Sequence, residues 1–330
     1  NDICTNVQEA EMEKSDDIRL MVKIAQMYYE QNFTQAEIAQ ALGIYRTSIS
    51  RMLKRVREQG IVTISINYNY NENLLLEQQL KSRFKLREAI VVSSEQDQSP
   101  EQQLILMAKQ CSALLNRIIE NGDILGFSWG SAIATLVEQM DTSPVSRQLT
   151  CIPMVGGPSG KLESRFHVNT LVYSAAMKLK GESLLIDFPA ILEESVIRDG
   201  IVQSQHYQAI ADYWQRLDIA IFGIGSPNIS GNSTWRAFYG SDVIDHFNDR
   251  QVAGDICSRF YDLQGNPVET YISDKTITIQ LDKIKKARYS IGIAHSHEKI
   301  NGIIGAIKGK YINSLVTTKE TAEEIIRITA

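Results

Sequence analysis

The chain has 330 residues, 43% apolar and 22% charged, with 34 Lys and Arg against 39 Asp and Glu for a formal net charge of −5. That length holds one large domain plus a small one with a sizeable core, in proportions ordinary for a soluble globular protein. The four cysteines (Cys4, Cys111, Cys151 and Cys257) are scattered without a CxxC pair, which indicates neither a zinc site nor a disulfide framework, and no run approaches the ~20 apolar residues of a bilayer span.

Residues 1–11 are polar and unpatterned and Met12 offers an alternative start, so 1–15 are expected to be a disordered extension. A helix from Asp16 or Asp17 to Tyr29 carries Met21, Ile24, Ala25 and Tyr28 on one stripe. Thr34 with Glu37 three residues on makes a capping box, and Ile38, Ala39 and Leu42 form the apolar face of a short helix. Gly43 suits a sharp turn, and a second helix, Tyr45 to Gln59, turns Ile49, Met52, Leu53 and Val56 inward before Gly60 stops it. From Thr34 to Gly60 there are five Lys or Arg against two Glu, a net of +3 in an acidic chain. Cap, turn, apolar spacing and basic second helix together read as a helix-turn-helix over residues 16–67, whose second helix enters the DNA major groove by its N-terminal end. The residues assigned to DNA are Thr34, Gln35, Tyr45, Arg46, Thr47, Ser48, Ser50, Arg51, Lys54, Arg55 and Arg57. Arginine can fork onto guanine, while Ser and Thr meet base edges or phosphates. The bland alternative is a helical hairpin with a solvated basic face.

Next, Ile61–Ile66 alternates as a short strand, Tyr68–Asn73 reads as linker, and Leu74–Phe84 as a helix that braces the larger domain or holds two chains together, so that residues 68–86 form a linker and helix. From residue 87 to 330 strands and helices alternate. Strands are expected at Ala89–Val92, Asp123–Phe127, Cys151–Val155, Ser183–Phe188, Asp218–Ile224, Tyr289–Ala294 and Ile312–Thr317. Helices are expected at Gln102–Glu120, His167–Lys180, Gln203–Arg216, Glu298–Lys308 and Lys319–Ile328. This rhythm implies an α/β fold with a mostly parallel sheet and right-handed crossovers, whose ligands bind beyond the strand carboxyl ends.

Four loops stand in that position. Gly126–Ser131 follows a strand and opens a helix, offering N–H groups and the Ser128 and Ser131 hydroxyls to an anion. Gly223–Ser226 also follows a strand. Gly156–Lys161 reads as a flexible glycine loop ending in a cation, and Lys299 falls in the first turn of a helix, where its charge suits a phosphate. Together the loops favour a phosphorylated or polyhydroxyl ligand. The Ser128 loop also matches the G-x-S-x-G of hydrolases, but lacks an oxyanion-loop motif. The five histidines show no metal spacing, and no cofactor is expected.

The chain resembles the SorC/DeoR-type family of sugar-responsive regulators. The resemblance rests on Gln35–Arg57, Gly122–Gly130, Pro153–Gly157, Asp187–Ala190, Gly223–Gly225, Gly254–Ile256, Glu298–Lys299 and Leu315–Thr317, and covers nearly everything after Met12. It implies a phosphosugar-isomerase-like, sugar-binding α/β domain that senses an effector. By that resemblance Ser128, Trp129, Gly130 and Ser131 bind the effector phosphate with help from Lys299. Asp255 accepts from sugar hydroxyls, and His167 and Asn169, after the loop of Gly157 and Lys161, face the same pocket. Trp129 stands where relatives carry a smaller polar residue, and His295-Ser296-His297 where they carry small ones. The implied protein is a cytoplasmic homo-oligomer, dimer or tetramer, without membrane contact, whose partners are operator DNA and a sugar or sugar-phosphate effector of a sorbose or sorbitol operon. The competing class is a sugar-phosphate isomerase or deaminase using Asp255 and His167 as acid and base, with the N-terminal helices only oligomerising; an esterase using Ser128 is a third reading.

Overall fold

Met21, Ile24, Ile38, Ile49, Leu53 and Val56 carry the front of the chain, each no more than 3% exposed. In the computed structural model, which describes residues 17–64, 71–93, 98–142, 148–230, 233–248 and 251–330, the chain divides into two units, Asn1–Tyr68 and Asn69–Ala330. The front unit is helical: α1 over residues 17–25, running into a π-helical turn Gln26–Glu30, then α2 (Gln35–Leu42) and α3 (Arg46–Glu58). The apolar stripes meet in two small clusters, one of Ile24, Ile38, Ile49 and Leu53, the other of Met21, Ala25 and Val56. The expected strand after Gly60 does not form among its described residues, 61–64. The N–H groups of Ile61 and Val62 both bond the Val56 carbonyl, finishing α3 instead of starting a ladder, and their side chains pack beside Val56. The remainder of that strand, residues 1–15 and Tyr68–Tyr70 lie outside the described residues.

The larger unit opens earlier than the linker reading implies. Asn71 accepts from the N–H groups of Asn73 and Leu74, so α4 starts at Glu72 and runs to Phe84. Leu76 and Leu80 of α4 belong to the main core, and Glu72 pairs with Lys319. There follow β1 (Glu88–Val92), α5 (Pro100–Ile118), β2 (Ile124–Phe127), α6 (Ser131–Gln139), β3 (Thr150–Pro153), α7 (Val168–Leu179) and β4 (Glu182–Ser183). After α8 (Ser195–Val202), α9 (Gln205–Gln215) and β5 (Ile219–Gly223) come α10 (Thr234–Tyr239), α11 (Ser241–Asn248) and the strands β6 (Gly254–Ile256), β7 (Arg259–Tyr261) and β8 (Pro267–Val268). The chain closes with α12 (Leu281–Ile284), β9 (Tyr289–Ile293), α13 (Ile300–Lys308), β10 (Ser314–Thr318) and α14 (Lys319–Ile328).

Every ladder of the main sheet is parallel, in the order β1-β10-β9-β5-β2-β3-β4, while β6-β7-β8 form a small antiparallel sheet. The fold is thus the α/β class expected. Going outward from β2, strands follow the chain to β3 and β4 on one side and jump to β5, β9 and β10 on the other, so the sheet switches direction between β2 and β5. That crevice is where α/β sheets bind ligands. The expected strand Ser183–Phe188 shrinks to Glu182–Ser183, because Asn169 takes the next segment: its side chain donates to the Ile186 carbonyl and accepts from the Ile186 N–H, both at 2.9 Å. The helices α8, α10 and α11 and the antiparallel sheet fall where the sequence carries no clear period.

Candidate functional site

In the front unit the Thr34 hydroxyl accepts from the Glu37 N–H at 3.2 Å, and the Glu37 carboxylate accepts from the Thr34 N–H and hydroxyl at 2.7 and 2.8 Å. These bonds hold the Glu37 carboxyl below its ordinary pKa. Gly43 takes φ 66°, the left-handed conformation that ends α2, and Tyr45 caps α3 with extended backbone. With Ile49, Leu53 and Val56 held inward, Arg46, Thr47, Ser50, Arg51, Lys54 and Arg57 are exposed on α3, and Tyr45 is 85% exposed beside them. Thr34, Gln35 and Arg46 line a groove with Tyr28, Tyr29 and Phe33. Two basic residues are partly occupied: Arg55 is half-buried and bonds Asp17 at 2.7 Å, tying α3 to α1, and Lys54 pairs with Glu58 at 3.6 Å. Ser48 is half-buried. Of the residues assigned to DNA, Arg55 is thus the one shared with α1.

In the larger unit a cavity of about 70 Å³ opens at the β2/β5 switch. Ser128, Trp129, Gly130 and Ser131 line it from the loop between β2 and α6, Gly223 to Gly225 from beyond β5, Thr234 and Trp235 from α10, Asp255, Cys257 and Ser258 from the antiparallel sheet, and Lys299 from the turn before α13. Gly130, at φ 112°, caps α6, so the first N–H groups of that helix face the cavity and favour an anion. The Trp129 ring packs on Phe238 with centroids 4.4 Å apart, and its Nε1–H is buried without a hydrogen-bond partner among the described residues. Lys161 stands over the other partner of that stack, 5.5 Å from the Phe238 centroid, and does not line the cavity.

Asp255 is already engaged. Its Oδ1 accepts from Trp235 Nε1 at 2.5 Å, and its Oδ2 accepts from the Ser258 N–H at 3.0 Å and lies 3.1 Å from the Tyr239 hydroxyl. Burial raises its pKa, against these hydrogen bonds and the Lys299 charge, which lower it. Burial lowers the Lys299 pKa, against the attraction of Asp255 and Glu298. The attraction between the two opposes the burial that otherwise favours the neutral form of each. Gly225 fits beneath the Asp255–Trp235 hydrogen bond because it has no side chain: a Cβ there would meet Asp255 Oδ1 at 2.0 Å and Trp235 Nε1 at 2.1 Å. The donor set is cationic and N–H rich with two indoles, and no group of metal-holding residues occurs among the described residues.

The glycine-loop residues go elsewhere. Gly157, His167 and Asn169 line a different cleft with Asp187 and Phe188. The N–H groups of Gly156 and Gly157 are spent on the Ile277 and Phe188 carbonyls, so the loop is a pinned crossing and not a free anion cradle. His167 Nδ1 accepts from the Asn169 N–H to cap α7, burial lowers its pKa, and Asn169 clamps Ile186. Conversely Trp235, Ser258 and Gly225 line the cavity and Tyr239 bonds Asp255 behind it, though the sequence assigns none of the four to the effector. Gly225 had a signal in the post-strand glycines; the α10 aromatics had none, since their periodicity is that of any packed helix.

Residues 68–327 match the family described as "Putative sugar-binding domain" and residues 18–75 the "Crp-like helix-turn-helix domain". The chain is 60% identical to the sorbitol operon regulator of Klebsiella pneumoniae over 96% of its own length and all of the relative. The crystal structure of full-length SorC from that organism superposes with a TM-score of 0.75, covering 94% of this chain and 99% of the other. The deoxyribonucleoside regulator of Bacillus subtilis (strain 168) is 26% identical, over 93% of this chain and 97% of the relative. These relatives are transcriptional regulators and not enzymes, so the isomerase, deaminase and esterase readings fall away. No described helix is long and apolar enough to cross a membrane. A sugar-binding match across most of the chain, a helix-turn-helix match over its front and a 60% identical relative matched along its whole length make this chain a member of the SorC family of transcriptional regulators.

Proposed function

We propose that this protein regulates a sorbitol- or sorbose-utilisation operon in the cytoplasm, binding operator DNA as a homo-oligomer, dimer or tetramer, with its grip set by a sugar or sugar phosphate in the cavity at the β2/β5 switch. One observation carries the reading: the cavity joins a helix N-terminus, buried Ser128 and Lys299 beside Asp255, a donor set suited to a phosphate at one end and hydroxyls at the other. At about 70 Å³ it is small beside the ~300–1,000 Å³ of clefts that take a whole ligand. A sugar phosphate therefore seats its phosphate on the Ser128–Ser131 loop and displaces the Trp129 ring, whose buried Nε1–H then finds an acceptor. Occupancy shifts the regulator between states only so far as the effector prefers one of them.

In the reader, Arg46, Thr47, Ser50 and Arg51 address bases. Thr34, Gln35, Tyr45, Lys54 and Arg57 address the phosphate backbone, and Ser48 supports from the half-buried side of α3. Paired readers span half-sites about 34 Å apart or multiples of that. Footprinting of the full-length protein upstream of sugar-utilisation genes, with and without sorbitol 6-phosphate, tests this. A protected patch whose extent or affinity changes with the metabolite is expected. Arg51→Ala weakens operator affinity by about ten-fold or more, the value of one bidentate base contact, while sorbitol 6-phosphate binding stays the same. No protected patch under any metabolite would overturn the reading.

A further inference from the structure

We infer that the larger unit holds a second ligand site, for an uncharged polyol or sugar, in the cleft of about 550 Å³ beyond the carboxyl ends of β9 and β10. His295, Gln98, Gln103, Thr321 and Glu324 line it. None belongs to the cavity at the β2/β5 switch, and the inference stands whether or not that cavity takes a phosphate.

The chemistry of the walls selects the ligand. Gln98 presents an amide oxygen that is fully buried and has no hydrogen-bond partner among the described residues. Such an acceptor is costly to leave unpaired and calls for a hydroxyl. His295 is held neutral, its pKa brought down to about 4 by burial and by the Lys299 charge, so its ring offers one donor and one acceptor. The Thr318 and Thr321 hydroxyls lie 3.0 Å apart, and Thr321 also accepts from the Ser296 N–H at 3.1 Å. The lining includes two carboxylates, Glu320 and Glu324, and no lysine or arginine, a balance that repels phosphate. Glu324 is already bonded to Arg327, which leaves the cleft little appetite for a cation. Donors and acceptors in alternation, without net positive charge, match a row of hydroxyls.

The two sites share one turn. His295 and His297 face the cleft, while Lys299 faces the switch cavity. Between them Ser296 sits at φ 95°, a conformation that side-chain-bearing residues rarely adopt, and Glu298 is fastened to Ser226 and Ser230 beyond β5. A polyol that engages Thr321 acts on the bond that holds Ser296, and through it on Lys299.

The test is calorimetric titration of the full-length protein with sorbitol, sorbose, mannitol and fructose, each alone and after saturation with sorbitol 6-phosphate. At least one uncharged ligand is expected to bind at one per chain. Gln98→Leu and the rim variant Gln103→Leu lower that affinity about ten-fold or more, the equivalent of one lost hydrogen bond to a buried acceptor. Ser131→Ala, in the switch cavity and away from the cleft, leaves it within a few-fold. Cooperative melting certifies that the variants fold. Prior saturation changes the polyol affinity, and polyol changes the sorbitol 6-phosphate affinity by the same factor. The site is overturned if no uncharged sugar or polyol binds, if binding survives both glutamine variants, or if it disappears in Ser131→Ala alone, which would return the ligand to the switch cavity.

Discussion

The two units keep their chemistry on opposite sides of their cores. In the front unit the core is a handful of apolar residues, and Arg46, Arg51, Lys54 and Arg57 of α3 point away from it into solvent. In the larger unit the working groups are inside: Asp255 is 5% exposed, tied to Trp235, Tyr239 and Ser258, with Lys299 as counter-charge. An exposed reader can lose a contact and remain folded. A buried site is built from the same contacts that stabilise the domain, so its ligand response and its stability are coupled.

The largest effect is expected at Gly225. Gly225→Ala puts a methyl within 2.1 Å of both Asp255 and Trp235, forcing apart a buried hydrogen-bonded pair. A loss of about 2–4 kcal/mol in the stability of the larger unit follows, read as a lowered denaturant midpoint together with lost sorbitol 6-phosphate binding. If stability and binding both survive, the coupling of site and core is wrong.

Acid comes next. The folded pKa of His295, about 4 against an ordinary 6.5, contributes stability that is full above pH 6.5 and is lost as pH falls from there through 4, because protonation favours the unfolded chain. Lys299 and Glu320 are the charged groups that act on it, the first lowering and the second raising its pKa. His295→Gln should flatten the pH dependence of unfolding over that window by on the order of 2 kcal/mol; an unchanged profile would remove His295 from the account. Asp255, whose pKa is raised, works in the opposite sense, so the slope that His295→Gln removes is opposite in sign to the one Asp255 leaves.

Smaller effects belong to the front unit. Thr34→Ala removes the cap of α2 and costs about 1 kcal/mol, measured by thermal melting. Arg55→Ala and Asp17→Asn should lower stability equally and by less than about 1 kcal/mol, the range of a partly exposed ion pair. Unlike Arg51→Ala, Arg55→Ala should not relax operator sequence preference in a binding-site selection; a change in preference would return Arg55 to the DNA face.

What could be read from the residues alone follows the range of the interactions involved. The capping box, the Gly43 turn, the inward stripe of α3 and the span of α14 are relations among residues three or four apart, and they stand in the structure as the sequence implies. The alternation of strands and helices likewise announced a parallel sheet. Tertiary structure decided where the chain's own hydrogen bonds preempt the apparent pattern. Asn169 captured Ile186 and cut a strand short, Asn71 started α4 inside an apparent linker, and Asp17 claimed Arg55. It also decided the cavity itself, since Ser128, Gly225, Asp255 and Lys299 meet only because the strand order reverses between β2 and β5. Periodicity reports which face of an element is buried; it carries no information about which distant buried groups will face one another, because that depends on strand order and crossover, which are settled by packing across the whole domain.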